Sequence, residues 1–101
     1  MHYLGGIRGA GVLTFGDETI ARADYDFDGY LMKPGLVTGS GEIRTSPEAL
    51  RQVFGRRDLQ LLTDDGRRLR VQFTERQLRS ASEVAHVNVA GELPSASEWR
   101  H

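Results

Sequence analysis

The stretch DYDFDG, residues 24–29, admits two readings that lead to different folds. As the first half of an EF-hand calcium loop it would call for flanking helices. As a β-strand it would place three aspartates on one face and two aromatic rings on the other. A calcium loop of this kind needs oxygen ligands at positions 1, 3, 5, 7, 9 and 12, with glycine at 6 and a bidentate Glu at 12. Asp24, Asp26, Asp28 and Gly29 fill positions 1, 3, 5 and 6, and Leu31 supplies an apolar residue at 8. The second half fails, because Met32, Pro34 and Gly35 stand at 9, 11 and 12. In an extended chain, successive aspartates on one face lie ~6.6 Å apart, from a rise of ~3.3 Å per residue. Carboxylates so spaced cannot converge on one ion at ~2.3–2.6 Å. The strand reading therefore decides the fold.

Working outward, alternation over residues 19–28 puts Ala21, Ala23, Tyr25 and Phe27 on the inner face and Arg22, Asp24, Asp26 and Asp28 on the outer one. An earlier strand is expected over residues 9–15, closed by the turn-like GDE at 16–18. After it, MKPG (32–35) offers Pro34 and Gly35 as the central pair of a type II turn. A third strand follows over 36–44, weakened at GSG (39–41).

One helix is predicted, in TSPEALRQVFG (45–55). Ser46 suits the N-cap, Pro47 the first helical position and Glu48 the positive end of the dipole. Leu50, Val53 and Phe54 share a face, and Gly55 stops the helix. The hairpin signal is in DLQLLTDDGRRLRVQFTE (58–75), where Asp65-Gly66 reads as a type I′ turn between Leu59 and Leu61 on one side and Leu69, Val71 and Phe73 on the other. Residues 76–83 read as a polar loop. VAHVNVAGELP (84–94) is the last strand, with Ala85, Val87 and Val89 inward, His86 and Asn88 outward, and Pro94 as its end.

Six short strands with short connections must pair antiparallel, since parallel neighbours need long crossovers. The expected fold is mostly β: a six-stranded antiparallel barrel, or a two-sheet sandwich, with one short helix between the third and fourth strands. The expected organisation is a single domain over 1–94 and a tail over 95–101, whose Trp99 either docks or frays.

The chain of 101 residues has a formal charge of -1, so it exerts no global attraction on nucleic acid or an anionic membrane. It lacks cysteine, which excludes disulfides and thiolate metal sites. Glycines and Arg8 interrupt the N-terminal residues, and no apolar run reaches the ~18 residues of a membrane span. A cytoplasmic domain without cofactor is expected.

Charge is uneven along the chain. Residues 44–79 hold nine arginines against five acidic residues, whereas 17–28 hold five acidic residues against one arginine. Two candidate surfaces follow: a basic one formed by Arg56, Arg57, Arg67, Arg68 and Arg70, and an acidic one formed by Asp24, Asp26 and Asp28. The basic one could hold phosphates, but no outward aromatics accompany it for base stacking, which disfavours nucleic acid. GIRGAG (6–11) lacks the Lys and Ser/Thr of a phosphate-binding loop, with Val12 and Leu13 in their places. His86 is the only histidine away from the termini, and a catalytic set of Ser40, His86 and Glu42 can be drawn, but no nucleophile-elbow signature surrounds Ser40. The sequence thus points to a non-catalytic binding or protein-interaction module, self-associating by a strand edge or by its charged faces, with anionic-ligand binding through the Arg-rich hairpin as the alternative.

Overall fold

The computed structural model describes residues 1–79 and 81–99. Its elements are β1 (His2–Phe15), β2 (Glu18–Met32), β3 (Leu36–Arg44), α1 (Pro47–Val53), β4 (Leu59–Thr63), β5 (Arg68–Phe73) and β6 (Val84–Gly91), followed by a single 3₁₀ turn, Ala96–Glu98. The strands close into one antiparallel barrel in the order β1-β2-β3-β6-β5-β4. The helix lies between β3 and β4, as the sequence indicates.

The aspartates of residues 24–29 are on a strand. Ala23 and Phe27 are buried, Tyr25 is partly buried, and Asp24 and Asp26 are exposed. The core joins Leu13 of β1, Phe27 of β2, Ile43 of β3, Leu59 and Leu61 of β4, Leu69 and Val71 of β5, and Ala85, Val87 and Val89 of β6. Each inward set recurs with the period of two that a pleated strand imposes.

Both ends of this core are closed. At the end where β3 finishes and β4 begins, α1 inserts Leu50 and Val53, each fully buried. The Ser46 hydroxyl accepts the Ala49 N–H at 3.2 Å, Pro47 opens the helix, and Gly55 follows it at φ +81°. The opposite end is covered by the chain after β6, where Pro94 and Trp99 are buried and Leu93 packs against the core.

Several boundaries differ from those expected. β1 begins at His2 rather than Gly9, since the residues before Gly9 also pair with β2, and two of its glycines face places where a side chain would collide. A Cβ on Gly9 would lie 2.7 Å from the Tyr25 hydroxyl oxygen, and one on Gly11 would lie 2.5 Å from the Leu62 carbonyl oxygen. β2 continues to Met32. In the turn after it, the Gly35 N–H donates to the Met32 carbonyl at 2.7 Å, so Lys33 and Pro34 are the central pair; their peptide is cis, the type VI arrangement rather than type II.

The β4–β5 hairpin has a three-residue loop, not a type I′ turn. The Thr63 N–H donates to Arg67 O at 2.8 Å, the Gly66 N–H donates to Thr63 O at 2.9 Å, and Gly66 alone has positive φ, at +92°. A type I′ turn would need positive φ at Asp65 as well. The buried Thr63 hydroxyl holds the wider loop by bonding to the Asp65 carboxylate and accepting the Arg67 N–H at 2.9 Å. β6 ends at Gly91, whose φ of +103° turns the chain three residues before Pro94.

β1 and β2 outrun the closed part of the barrel. β4 pairs with β1 only over Gly11–Phe15, and β6 pairs with β3 only over Gly39–Arg44. Beyond those limits the first residues of β1, the last of β2 and the first of β3 form a three-stranded projection.

Candidate functional site

The outer surface of β4 and β5 carries a cavity of about 510 Å³ lined by Gly16, Asp17, Arg57, Asp58, Gln60, Arg68 and Arg70, with Leu59 at its base. Strand alternation aims Arg68 and Arg70 outward, while Leu69 between them is buried. Gln60 of β4 is directly opposite Arg70. Arg57 and Asp58 come from the segment that leads into β4, and Gly16 and Asp17 from the β1–β2 turn, which the β1–β4 pairing of Phe15 with Leu59 brings alongside.

Arg68 is anchored. Its backbone N–H donates to Glu92 Oε1 at 2.8 Å and its Nη1 donates to Gln60 Oε1 at 3.1 Å. Because the Gln60 oxygen is occupied in this way, its amide N–H groups remain as further donors. Among the described residues the guanidinium groups of Arg57 and Arg70 have neither a hydrogen bond nor an ion pair. Three arginines and two aspartates give the cavity a formal charge of +1.

The other two arginines expected at this surface are engaged elsewhere. Arg56 stacks its guanidinium over the Phe15 ring at 4.4 Å and donates Nε–H to Gln52 O at 2.8 Å, closing the C-terminal end of α1. Arg67 bridges to Glu98 at 3.1 Å and Asp65 at 3.6 Å, and its side chain is only 30% exposed. The sequence therefore identifies five basic residues of which the fold brings three together.

The acidic face is divided by its cross-strand partners. Asp26 pairs with Arg8 at 3.0 Å and is opposite Glu42, whereas Asp28 accepts the Tyr3 hydroxyl at 3.0 Å. That hydrogen bond, which favours the protonated phenol, pushes the Tyr3 pKa up from its ordinary value. Asp24 is opposite Arg44. Among the described residues no group of three or more His, Asp and Glu side chains is arranged to hold a metal ion.

His86 is opposite Glu42 on the outer face of the β3–β6 pair. Its Nε2 is 3.6 Å from Glu42 and its Nδ1 3.5 Å from Glu75, whose carboxylate also accepts the His86 backbone N–H at 2.7 Å. Ser40 is opposite Asn88, two cross-strand pairs along the sheet. The imidazole is thus flanked by carboxylates on both nitrogens.

A last surface went unrecognised in the sequence. On the outer face of the projection, Tyr3 is opposite Tyr30, with ring centroids 5.5 Å apart, and Met32 is opposite Leu36. Tyr3, Met32 and Leu36 are 47%, 37% and 62% exposed. The signal was the alternation of Tyr30 and Met32 with the aspartates of β2, which continues the outward phase past Asp28.

Among the described residues no helix is long and apolar enough to cross a membrane. Comparison with protein-family models, with curated proteins and with solved structures finds no match to this chain.

Proposed function

We propose that this barrel is a non-catalytic binding module that holds a small anion, of the phosphate or carboxylate class, in the cavity between Arg57, Arg68 and Arg70. One observation carries the reading: two guanidinium groups that have no partner among the described residues line the same cavity as a third, which Gln60 holds on a residue whose backbone N–H is bonded to Glu92. An anion there would gain charge-assisted hydrogen bonds, which are about twice as strong as neutral ones. The planar fork of arginine matches phosphate and carboxylate oxygens in pairs. The cavity volume of about 510 Å³ falls in the range of small-molecule sites. Asp17 and Asp58 on the same rim favour a ligand that also carries hydroxyl donors, such as a sugar phosphate.

The test is an NMR titration of the labelled protein with inorganic phosphate and glucose 6-phosphate. Amide shifts confined to residues 16–17, 57–60 and 68–70, and lost in Arg57→Ala/Arg70→Ala, are expected. Absence of saturable shifts at tens of millimolar ligand would refute the reading. Nucleic acid is the competing partner. Its binding would weaken with salt at a log–log slope of roughly -0.7 to -0.9 per phosphate contacted. We expect none at physiological salt, and micromolar oligonucleotide binding abolished by Arg68→Ala/Arg70→Ala would replace the small anion with a nucleic-acid strand.

A further inference from the structure

The cavity lined by Arg57, Arg68 and Arg70 also contains two carboxylates, those of Asp17 and Asp58. Neither has a hydrogen bond or an ion pair among the described residues, and the same holds for the guanidinium groups of Arg57 and Arg70. Opposite charges thus line one cavity without neutralising each other. A carboxylate only accepts hydrogen bonds and a guanidinium only donates them. An occupant that satisfies both must present bare oxygens to the arginines and a hydrogen-bond donor to each aspartate. The amide N–H groups of Gln60, whose oxygen is taken by Arg68 Nη1 at 3.1 Å, add to the donors.

Charge and proton count select among the oxyanions. Three arginines less two aspartates leave the cavity at +1. Dihydrogen phosphate carries a single negative charge, bare oxygens for the arginines and two P–O–H groups, so it balances the cavity and offers one donor to each carboxylate. In a singly protonated phosphate ester one P–O–H group remains, and a hydroxyl of the organic part takes the place of the other. Doubly charged phosphate would overshoot the cavity charge and bring one donor fewer. Sulfate is doubly charged at neutral pH and has no proton, so both aspartates would face acceptor oxygens of their own sign, at the short range where Coulomb repulsion is largest.

We propose that Asp17 and Asp58 determine specificity at this cavity, admitting phosphate in its singly charged, protonated form and rejecting sulfate. The charged groups lining the cavity are Asp17 from the β1–β2 turn, Arg57 and Asp58 from the segment before β4, and Arg68 and Arg70 from β5, while β4 contributes the neutral Gln60. Of the partners in this binding, the phosphate is therefore the one whose charge changes near neutral pH. The selection rests on the anion reading above, but that reading survives if the selection fails.

The test is an NMR titration of the labelled full chain with sodium phosphate and with sodium sulfate at matched ionic strength, between about pH 8 and about pH 6. Over that range inorganic phosphate gains its second proton; in phosphate esters the step lies near ~6. Phosphate affinity should rise about fivefold as pH falls, because only the protonated fraction binds. Sulfate at the lower pH should bind about tenfold more weakly than phosphate, or worse, the equivalent of about 1.4 kcal/mol. Asp17→Asn/Asp58→Asn removes both negative charges and supplies amide donors in their place. In that variant sulfate should bind at least as well as phosphate, and phosphate affinity should no longer rise toward low pH. Sulfate bound by the parent as tightly as phosphate, phosphate affinity that does not rise as pH falls, or a variant that still rejects sulfate would each overturn the selection and leave the anion site standing. Saturable shifts with neither anion would overturn both. The parent titrations need no substitution, so they decide the matter even if the double variant does not fold.

Discussion

Trp99 lies against Gly29. The indole is 5% exposed, its Nε1–H donates to the Pro94 carbonyl at 3.0 Å, and a Cβ on Gly29 would come within 2.5 Å of the ring. The absence of a side chain on β2 is thus what lets the C-terminal segment seal the barrel. Trp99→Ala should destabilise by about 3 kcal/mol, the lower part of the range for removing a large buried aromatic. Gly29→Ala should displace the same ring. The costs of the two should be less than additive in the double variant, as for residues in contact. Trp99 is the sole tryptophan, so its emission reports the docking directly. Unchanged emission in Gly29→Ala would show that the ring does not depend on that glycine.

The same segment should respond to pH through Glu98. Its carboxylate accepts the Ser95 N–H at 2.9 Å and the Ser95 hydroxyl at 2.8 Å, and Arg67 is 3.1 Å away. The Ser95 backbone bond, foremost, with the hydroxyl and Arg67 adding to it, pulls the Glu98 pKa below its ordinary value. A folded-state pKa below the unfolded one stabilises the fold above the ordinary carboxylate pKa, and that contribution is lost as pH falls through the depressed value. Glu98→Gln should therefore lower stability at neutral pH, and the difference from the parent should vanish in acid. A difference in urea midpoint that does not change with pH would sink this account.

Gly41 of β3 leaves no room for a side chain against β2. A Cβ there would overlap the Asp26 carbonyl oxygen and reach 2.9 Å from Phe27 Cα, both backbone atoms that cannot rotate away. Gly41→Ala should force β2 and β3 apart at the core and cost about 3 kcal/mol, in the tail of single-substitution effects. Gly16 has φ +61° with no atom near its Cβ position. Gly16→Ala should cost only the ~1–2 kcal/mol of a left-handed residue. Thermal unfolding of the two variants separates the mechanisms, and equal costs would contradict the close approach.

Local patterns made most of the elements legible: the period of two in residues 19–28, the Ser46-Pro47 start of the helix, and the apolar flanks of the β4–β5 hairpin. What stayed hidden depends on other parts of the chain. Gly9 and Gly29 look like breaks in a strand until Tyr25 and Trp99 are placed in the room that these glycines leave. The width of the hairpin loop depends on the Thr63 side chain, which competes with the turn preference of Asp65-Gly66. Barrel closure, and with it the arrival of Gly16 and Asp17 beside Arg57, Arg68 and Arg70, follows from the pairing of β1 with β4 across more than forty residues. No local signal encodes that pairing. The engagement of Arg67 by Glu98 depends equally on where the chain returns after β6.

The stretch DYDFDG supplies the sharpest contrast between neighbouring residues. Phe27 is fully buried, whereas Tyr25 is partly exposed and stacks on it with ring centroids 5.0 Å apart. Phe27→Ala should cost ~3–5 kcal/mol, as large-to-small changes in a core do. Tyr25→Ala should cost about half as much, since less of its surface leaves water. Asp26→Asn loses an exposed pair with Arg8, worth ~0.2–1 kcal/mol, but also removes a like charge facing Glu42 across the sheet, so stability should change by no more than about 0.5 kcal/mol. Calcium provides the complementary measurement. A site with a dissociation constant near ~0.1 mM would gain about 2.7 kcal/mol in ~10 mM calcium, a rise of about 10 °C or more in melting temperature for a domain of this size. The separate engagement of Asp26 by Arg8 and of Asp28 by Tyr3, with Asp24 opposite Arg44, predicts instead a shift no larger than that of sodium chloride at matched ionic strength. A calcium-specific rise abolished by Asp26→Asn would show that these carboxylates converge on an ion, and the assignment of Phe27 to the core would then have to be tested anew.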